Sequence, residues 1–256
     1  MTEYKQDGPE AQRIASVIPY YPFHGVPRFY DISGMLADPE AFQLCIDIFV
    51  KRYHYLHQEQ VGSSGAAAST ENLGIDCIMG LDARGFVLGP SIALALKKPF
   101  IMLRKKGKLP NAVTGREYGK EYKSVDNAET GKDELCMPKT AFDFFYKKGN
   151  MAATATSTSS EGQEVGGPDD LHQGVENSKL ASTSKRPRVL IIDDLVATGG
   201  TLLAACDLVA EAGAEIVECA CIVELKALKG YEKLQAKHSG VKVWALISED
   251  VLTLEG

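Results

Sequence analysis

Long apolar runs are absent from this chain of 256 residues, although 45% of its residues are hydrophobic. No run approaches the roughly 20 residues that a helix needs to cross a membrane, so we expect no membrane partner. Positive charge is not in excess either, since 28 basic residues stand against 34 acidic ones and the net charge is -6. A general electrostatic attraction to nucleic acid is therefore not expected. Any binding of phosphate groups must be local.

Cysteine is also scarce, and its spacing excludes the common zinc and redox motifs. The six cysteines are scattered, mostly inside apolar runs, and no two of them form a C-x-x-C pair. We therefore predict reduced thiols buried in the core. The first residues do not resemble a signal peptide and the last three are no peroxisomal signal, so we expect a cytoplasmic protein.

Short apolar runs alternate with segments of helical periodicity. The runs are nearly continuous and rich in Val, Ile and Leu, which is typical of strands buried on both faces. This alternation predicts an α/β fold, with a central, mostly parallel sheet and helices on both of its faces. The predicted strands are 75–81, 99–103, 189–192, 216–225 and 241–247, and the predicted helices are 39–57, 85–96, 201–212 and 226–237.

One long segment does not follow this alternation. Residues 152–184 contain no aromatic residue and only four isolated large aliphatic ones. Such a segment cannot bury enough apolar surface to offset the entropy lost on ordering, so we predict a disordered insertion. The alternative is a segment that binds a partner or carries modifications. Strand-like sequence resumes directly after it, so we do not place a domain boundary there.

The strongest functional signal follows the predicted strand at 189–192. Two carboxylates, Asp193 and Asp194, end the strand, and a short loop then leads into a helix. In open α/β sheets this is where ligands bind. Free backbone N-H groups at the helix start suit a phosphate dianion, glycines allow its close approach, and threonines add hydroxyl donors. The loop and helix start consist of Ala197, Thr198, Gly199, Gly200 and Thr201.

The segment is open to two other interpretations. An ordinary strand-loop-helix junction would use Asp and Thr only as helix caps. An ATPase strand would require a G-x-x-x-x-G-K-[ST] loop elsewhere, and the sequence contains none. The run from Asp193 to Thr201 instead resembles the signature of the type I phosphoribosyltransferases. That resemblance implies that Asp193 and Asp194 hold the ribose hydroxyls of phosphoribosyl pyrophosphate (PRPP), while the loop holds its 5-phosphate.

Two further segments resemble the pyrophosphate-binding parts of the adenine enzymes in this family. In the run from Gly80 to Pro90, the resemblance implies a cis peptide between Asp82 and Ala83 and contact of Arg84 with the leaving group. A simple strand-to-helix turn is the alternative. The basic run from Leu103 to Pro110 resembles a segment that neutralises pyrophosphate, partly across a dimer interface; alone, it would indicate a solvated edge. Its candidate residues are Arg104, Lys105 and Lys108.

The same resemblance extends to a mobile loop and to a base-recognition segment. Glu117 and Tyr118 match a pair that closes over the active site; a polar hairpin tip is the alternative. Near the N-terminus, the resemblance implies that Phe29 stacks on adenine, that the Arg28 backbone reads the edge of the base, and that Leu195 covers its other face. A core Phe without a ligand is the alternative. We accordingly divide the chain into a hood, residues 1–37, and a phosphoribosyltransferase core, residues 38–256.

The resemblance implies a salvage reaction in which adenine and PRPP give AMP and pyrophosphate. Mg²⁺ is expected to travel with PRPP rather than to bind protein ligands directly. A homodimer is expected by resemblance alone. Two other functions stay open at this point: a phosphoribosyltransferase for another base, and a regulator that retains the PRPP site only as a sensor.

Overall fold

A central sheet of mixed direction dominates the computed structural model, which describes residues 4–23, 26–61, 74–119, 132–146 and 185–253. In the described residues the sheet has eight strands, with β8 (Leu195–Val196) paired to β9. The order of the other seven is β10 (Lys242–Ser248), β9 (Glu215–Glu224), β7 (Arg188–Ile192), β3 (Cys77–Leu81), β4 (Phe100–Lys105), β6 (Lys132–Pro138) and β5 (Ala112–Gly119). Pairing is parallel from β10 through to β4 and antiparallel between β4, β6 and β5. The prediction of a mostly parallel α/β sheet is confirmed.

The predicted elements of the core are all present, with ends shifted by a few residues. The strands are β1 Tyr20–Phe23, β2 Val26–Tyr30, β3 Cys77–Leu81, β4 Phe100–Lys105, β5 Ala112–Gly119, β6 Lys132–Pro138, β7 Arg188–Ile192, β8 Leu195–Val196, β9 Glu215–Glu224 and β10 Lys242–Ser248. The helices are α1 Pro9–Ala15, α2 Ser33–Ala37, α3 Pro39–Val61, α4 Gly85–Leu96, α5 Gly200–Glu211 and α6 Gly230–Lys237, with 3-10 turns at Lys226–Leu228 and Glu249–Val251.

The two central strands are apolar on both faces because both faces are covered. Every residue of β3 is buried, and so are the last four of β7. Side chains alternate between the faces of a strand. Ile78 and Leu190 join the core formed with α1, α3 and α4, whereas α5 covers the opposite face. Burial of one such aliphatic side chain contributes about 1.5 to 3 kcal/mol.

Two antiparallel pairs were not predicted. β1 and β2 pair near the N-terminus, and β5 and β6 extend the sheet beyond β4. Neither β5 nor β1 shows clean alternation of buried and exposed residues. Period-2 patterning, on which sequence reasoning depends, is therefore weak in both.

The described chain divides into two compact units, one of Met1–Lys139 with Pro187–Gly256 and one of Thr140–Arg186. The sheet and its helices belong to the first. In the second, residues 143–146 form one helical turn. The predicted disordered insertion at 152–184 lies outside the described residues. The separation of a hood from a core at residue 37 stays a prediction.

Two expectations from composition can be compared with the structure. All six cysteines are buried and free, as predicted. Within the described ranges, no helix is both long and apolar enough to span a bilayer.

Candidate active site

The loop after β7 has the geometry expected of a phosphate-binding turn. β7 ends at Ile192, and α5 begins at Gly200. Gly199 has φ 73°, in the left-handed region that favours glycine. Its carbonyl accepts the first α-helical hydrogen bond, from Leu203 N at 2.9 Å. The N-H groups at the start of α5 are therefore left without intrahelical acceptors, as at every helix start.

A second glycine holds this loop against α6. A Cβ atom on Gly199 would lie 2.6 Å from the Gly230 carbonyl oxygen, and a Cβ on Gly230 would collide with the Ala197 carbonyl oxygen. Backbone therefore contacts backbone between the loop and the first residue of α6. Any side chain at either position would push the two segments apart.

The two loop carboxylates have different surroundings. Asp194 is 4% exposed, and its backbone carbonyl accepts hydrogen bonds from Ile222 and Val223. Asp193 is only half-buried, and its Oδ1 accepts from the Asp194 backbone N-H at 3.0 Å. Both carboxylates therefore sit at the C-terminal edge of the sheet, where open α/β folds bind ligands.

Residues from three separate sequence motifs meet at Arg84. Its Nε lies 2.5 Å from Asp194 Oδ2, and its guanidinium carbon lies 5.4 Å from the centre of the Phe29 ring. Arg84 directly precedes α4 and follows the cis peptide between Asp82 and Ala83. The expectation of that cis peptide is confirmed. The segments predicted for the leaving group, the ribose and the base are thus adjacent in space.

The basic run begins with the last two residues of β4, and its cations contact different carboxylates. Arg104 Nε lies 3.3 Å from Asp82 Oδ2, and Lys108 Nζ lies 4.0 Å from the same oxygen. Lys105, the next residue along the strand, instead pairs with Asp133 of β6 at 2.9 Å. The structure therefore places two of the three basic candidates beside the predicted pyrophosphate loop and the third away from it.

The strand that carries Glu117 and Tyr118 runs beside the phosphate loop. The carbonyl oxygen of its last residue, Gly119, is 3.0 Å from where a Cβ on Gly200 would be. Arg116 Nε also pairs with Glu211 Oε1 of α5 at 3.1 Å. Glu117 is exposed and Tyr118 is half-buried. The described part of the predicted mobile loop is therefore a strand, and residues 120–131 lie outside the described residues.

The base-recognition segment forms an aromatic surface on β2. The rings of Phe29 and Phe23 lie 5.0 Å apart with their planes inclined at 49°, and Phe23 is 50% exposed. The Arg28 guanidinium lies over the Tyr20 ring at 5.0 Å. Leu195 is buried in β8, directly after Asp194. Flat apolar faces of this kind suit a purine ring.

Sequence reasoning missed two residues at the site. Phe23 pairs with Phe29 across the β1-β2 turn, and Lys233 of α6 reaches the start of α5. Phe23 could have been identified from the sequence, because it is aromatic and lies only six positions before Phe29. Nothing in the local sequence distinguished Lys233 from other helix-surface lysines.

Among the described residues, no group of three or more His, Cys, Asp or Glu side chains is arranged to hold a metal ion. Asp82, the carboxylate of the predicted pyrophosphate loop, already faces the two cations Arg104 and Lys108. A cationic pocket of this kind fits an anion, or an anion that carries its own metal ion.

Comparisons with known proteins agree with this geometry. A family model described as "Phosphoribosyl transferase domain" matches residues 142–251. Adenine phosphoribosyltransferase 2 of Arabidopsis thaliana is 37% identical over 86% of this chain and 80% of its own length. The adenine phosphoribosyltransferase of Rattus norvegicus is 35% identical over 88% of both chains.

Solved structures are similar as well. The adenine phosphoribosyltransferase of Trypanosoma brucei, in complex with AMP, pyrophosphate and ribose-5-phosphate, aligns with a TM-score of 0.67 and 29% identity. The alignment covers 97% of this chain and 83% of that one. The corresponding enzyme of Leishmania tarentolae aligns with a TM-score of 0.64 and 27% identity, over 97% and 91% of the two chains.

Proposed function

Because this chain belongs to the adenine phosphoribosyltransferase family, we propose that it transfers the 5-phosphoribosyl group of PRPP to adenine, giving AMP and pyrophosphate. The observation that carries the proposal is the convergence at Arg84. One guanidinium contacts both the Asp194 carboxylate and the Phe29 ring. An enzyme that joins a base to a sugar while releasing pyrophosphate needs these three subsites to meet at C1 of the ribose.

The ribose 5-phosphate moiety is assigned to the loop after β7. The half-buried Asp193 and the buried Asp194 are suited to accept hydrogen bonds from vicinal hydroxyl groups. The loop and α5 N-H groups, with the hydroxyls of Thr198 and Thr201, are suited to the 5-phosphate. Ala197 contributes through its backbone, and Gly199 and Gly200 let the phosphate approach closely.

Stabilisation of the negative charge on the leaving group is assigned to three cations. Departure of pyrophosphate builds positive charge on the sugar ring and negative charge on the departing oxygens, in an oxocarbenium-like transition state. Arg84, Arg104 and Lys108 lie around the Asp82-Ala83 peptide, where they can stabilise that negative charge. The role of Lys105 stays a prediction, because its ammonium group faces Asp133.

Mg²⁺ is proposed to enter with PRPP, coordinated by pyrophosphate oxygens and water. When bound, it would neutralise part of the negative charge that the leaving group acquires. Arg84, Arg104 and Lys108 would then hold the metal-pyrophosphate complex through its remaining oxygens. No carboxylate cage is needed for this arrangement.

The base is assigned to the surface of Phe29, with the Arg28 backbone at its edge and Leu195 over its other face. Glu117 is the candidate for proton exchange with the purine, and Tyr118 for closing the site. Both lie on β5, whose last residue touches the phosphate loop. Exclusion of water at this point would protect the cationic sugar from hydrolysis.

We also propose that two copies of the chain associate through α4. Val87 and Leu94 are seven residues apart, which places them on one face of the helix, and they are 40% and 81% exposed. Two exposed aliphatic side chains on one face of a helix are suited to an apolar contact with a second copy of the chain. Sedimentation velocity should give a dimer for the native chain and a monomer for Leu94→Glu. A monomeric native chain would exclude this interface.

The test of the proposed activity is a spectrophotometric assay with PRPP, Mg²⁺ and one base at a time. We expect adenine to be converted to AMP at a rate at least 100-fold above guanine, hypoxanthine or orotate. A preference for another base would assign the chain to a different base specificity. Binding of PRPP without turnover of any base would indicate a sensor instead of an enzyme.

A further inference from the structure

A lysine of α6 stands at the start of the phosphate-loop helix. The three nearest atoms to the point where a Cβ on Gly200 would lie are Gly119 O at 3.0 Å, and Lys233 Nζ and Thr198 Oγ1, each at 3.9 Å. Thr198 is one of the hydroxyl donors assigned to the 5-phosphate. Lys233 therefore brings an ammonium group to the same small region.

The position of this ammonium is set by two contacts of α6. At its first residue, Gly230 touches the backbone of Ala197 and Gly199. At its end, Lys237 and His238 both contact Asp207 of α5, the helix that starts at the phosphate loop. Lys233 is three residues after Gly230, so it lies on the same face of α6. The face that touches the loop therefore also carries the charge.

This ammonium has no acidic partner within the described part of the chain. The other α6 cation, Lys237, is paired with Asp207, whereas Lys233 forms no ion pair and its side chain is exposed. In a chain with a net charge of -6, a cation without an acidic partner beside a loop of amides and hydroxyls is suited to an anion. Arg84, which is also a cation among the predicted site residues, is already paired with Asp194.

We propose that Lys233 binds the 5-phosphate of PRPP and AMP from the α6 side of the loop. This inference rests on the proposed function and adds a side-chain cation to a subsite otherwise built of backbone amides and hydroxyls. A dianion held by N-H groups and hydroxyls gains a charge-assisted hydrogen bond from an ammonium group. The loop thereby gains selectivity for phosphorylated over unphosphorylated ribose.

The experiment compares Lys233→Met, Lys233→Arg and the control Lys242→Met by calorimetric titration with ribose 5-phosphate and, separately, with pyrophosphate. Lys242 is exposed and begins β10, at the sheet edge opposite the phosphate loop, so its loss removes the same charge elsewhere. We expect Lys233→Met to weaken ribose 5-phosphate binding about tenfold and pyrophosphate binding less than twofold. Lys233→Arg should recover most of the loss, and Lys242→Met should bind both ligands as the native chain does.

Equal affinity of the native chain and Lys233→Met for ribose 5-phosphate would overturn the proposal. So would an equal loss for pyrophosphate, which would show a general effect of charge or of folding. Ribose 5-phosphate binding does not depend on the identity of the base. The two proposals can therefore fail separately. If the native chain makes no AMP but Lys233→Met still weakens ribose 5-phosphate binding, the proposed activity is wrong and the Lys233 site stands.

Discussion

Glu117 offers the sharpest test at the scale of single residues, because a second glutamate lies directly across the strand pair. Glu117 of β5 and Glu134 of β6 are register partners, and Glu134 is paired with Lys106 at 2.5 Å. If Glu117 exchanges a proton with adenine, Glu117→Gln should lower kcat about 100-fold or more and leave KM for PRPP little changed. Steady-state kinetics with both substrates varied would measure this.

The matched control is Glu134→Gln, which removes a carboxylate from the neighbouring strand. It should leave kcat within about twofold of the native value, because Glu134 is occupied by Lys106. A loss in Glu117→Gln that is confined to PRPP affinity would reject the proton-exchange role. That result would indicate that Glu117 helps only to close the site over PRPP.

Single residues also show why some roles could be predicted from the sequence and others could not. The Asp193-Asp194 pair and the two loop glycines are contiguous, so their common site is visible in the chain itself. Lys105 and Arg104 are equally contiguous, yet strand geometry directs them to opposite faces. The pattern of charges predicted a basic segment, but only the fold determines which cations face the ligand.

At the scale of elements, the attachment of α6 to α5 depends on Asp207. Burial alone raises the pKa of the Asp207 carboxyl, but hydrogen bonds from Lys237 and His238 outweigh burial and hold that pKa below its ordinary value. A carboxyl whose pKa is lowered by folding stabilises the folded state at pH values above the pKa of the unfolded chain, which is about 3.9. That contribution is lost as the pH falls through the lower pKa of the folded state.

We therefore expect Asp207→Asn to reduce the free energy of unfolding by about 1 kcal/mol at pH 7, a value limited by the solvent exposure of Lys237. Below about pH 3.9 the difference from the native chain should shrink. Urea unfolding at pH 7, 5 and 3.5 measures it. Asp250→Asn, which removes a largely exposed partner of Lys226, should have little effect at any of these pH values. A deficit independent of pH would contradict the assigned ion pair.

The elements that sequence analysis missed share a physical cause. β5 contains glycines and charged residues and has no period-2 pattern, because it is stabilised by pairing with β6 and by packing on α5. A Cβ on Gly115 would lie 3.4 Å from Leu208, and Arg116 pairs with Glu211. These are long-range contacts. β3 and β7 could be predicted from their continuous apolar sequence, because each is buried on both faces by neighbouring elements.

At the scale of the whole molecule, the parallel order of the sheet brings distant parts of the sequence together. The C-terminal ends of β3, β4 and β7 meet at one edge, so Asp82, Arg104 and Asp193 become neighbours although they lie far apart in the chain. Arg84, Arg104 and Lys108 bring positive charge to this edge of an acidic protein, where PRPP is proposed to bind. The strand-loop-helix motif after β7 predicted the phosphate-binding part of this site, the resemblance to a known family predicted its other segments, and periodicity predicted the sheet that supports them.

The turn after Ile192 is proposed to hold the ribose 5-phosphate moiety. Calorimetric titration of AMP into the native chain and into Asp193→Asn/Asp194→Asn tests it most directly, with circular dichroism to verify that both chains are folded. We predict micromolar binding to the native chain and affinity at least 100-fold weaker in the double variant. A folded double variant that binds AMP as tightly as the native chain would show that this turn does not hold the ribose 5-phosphate moiety.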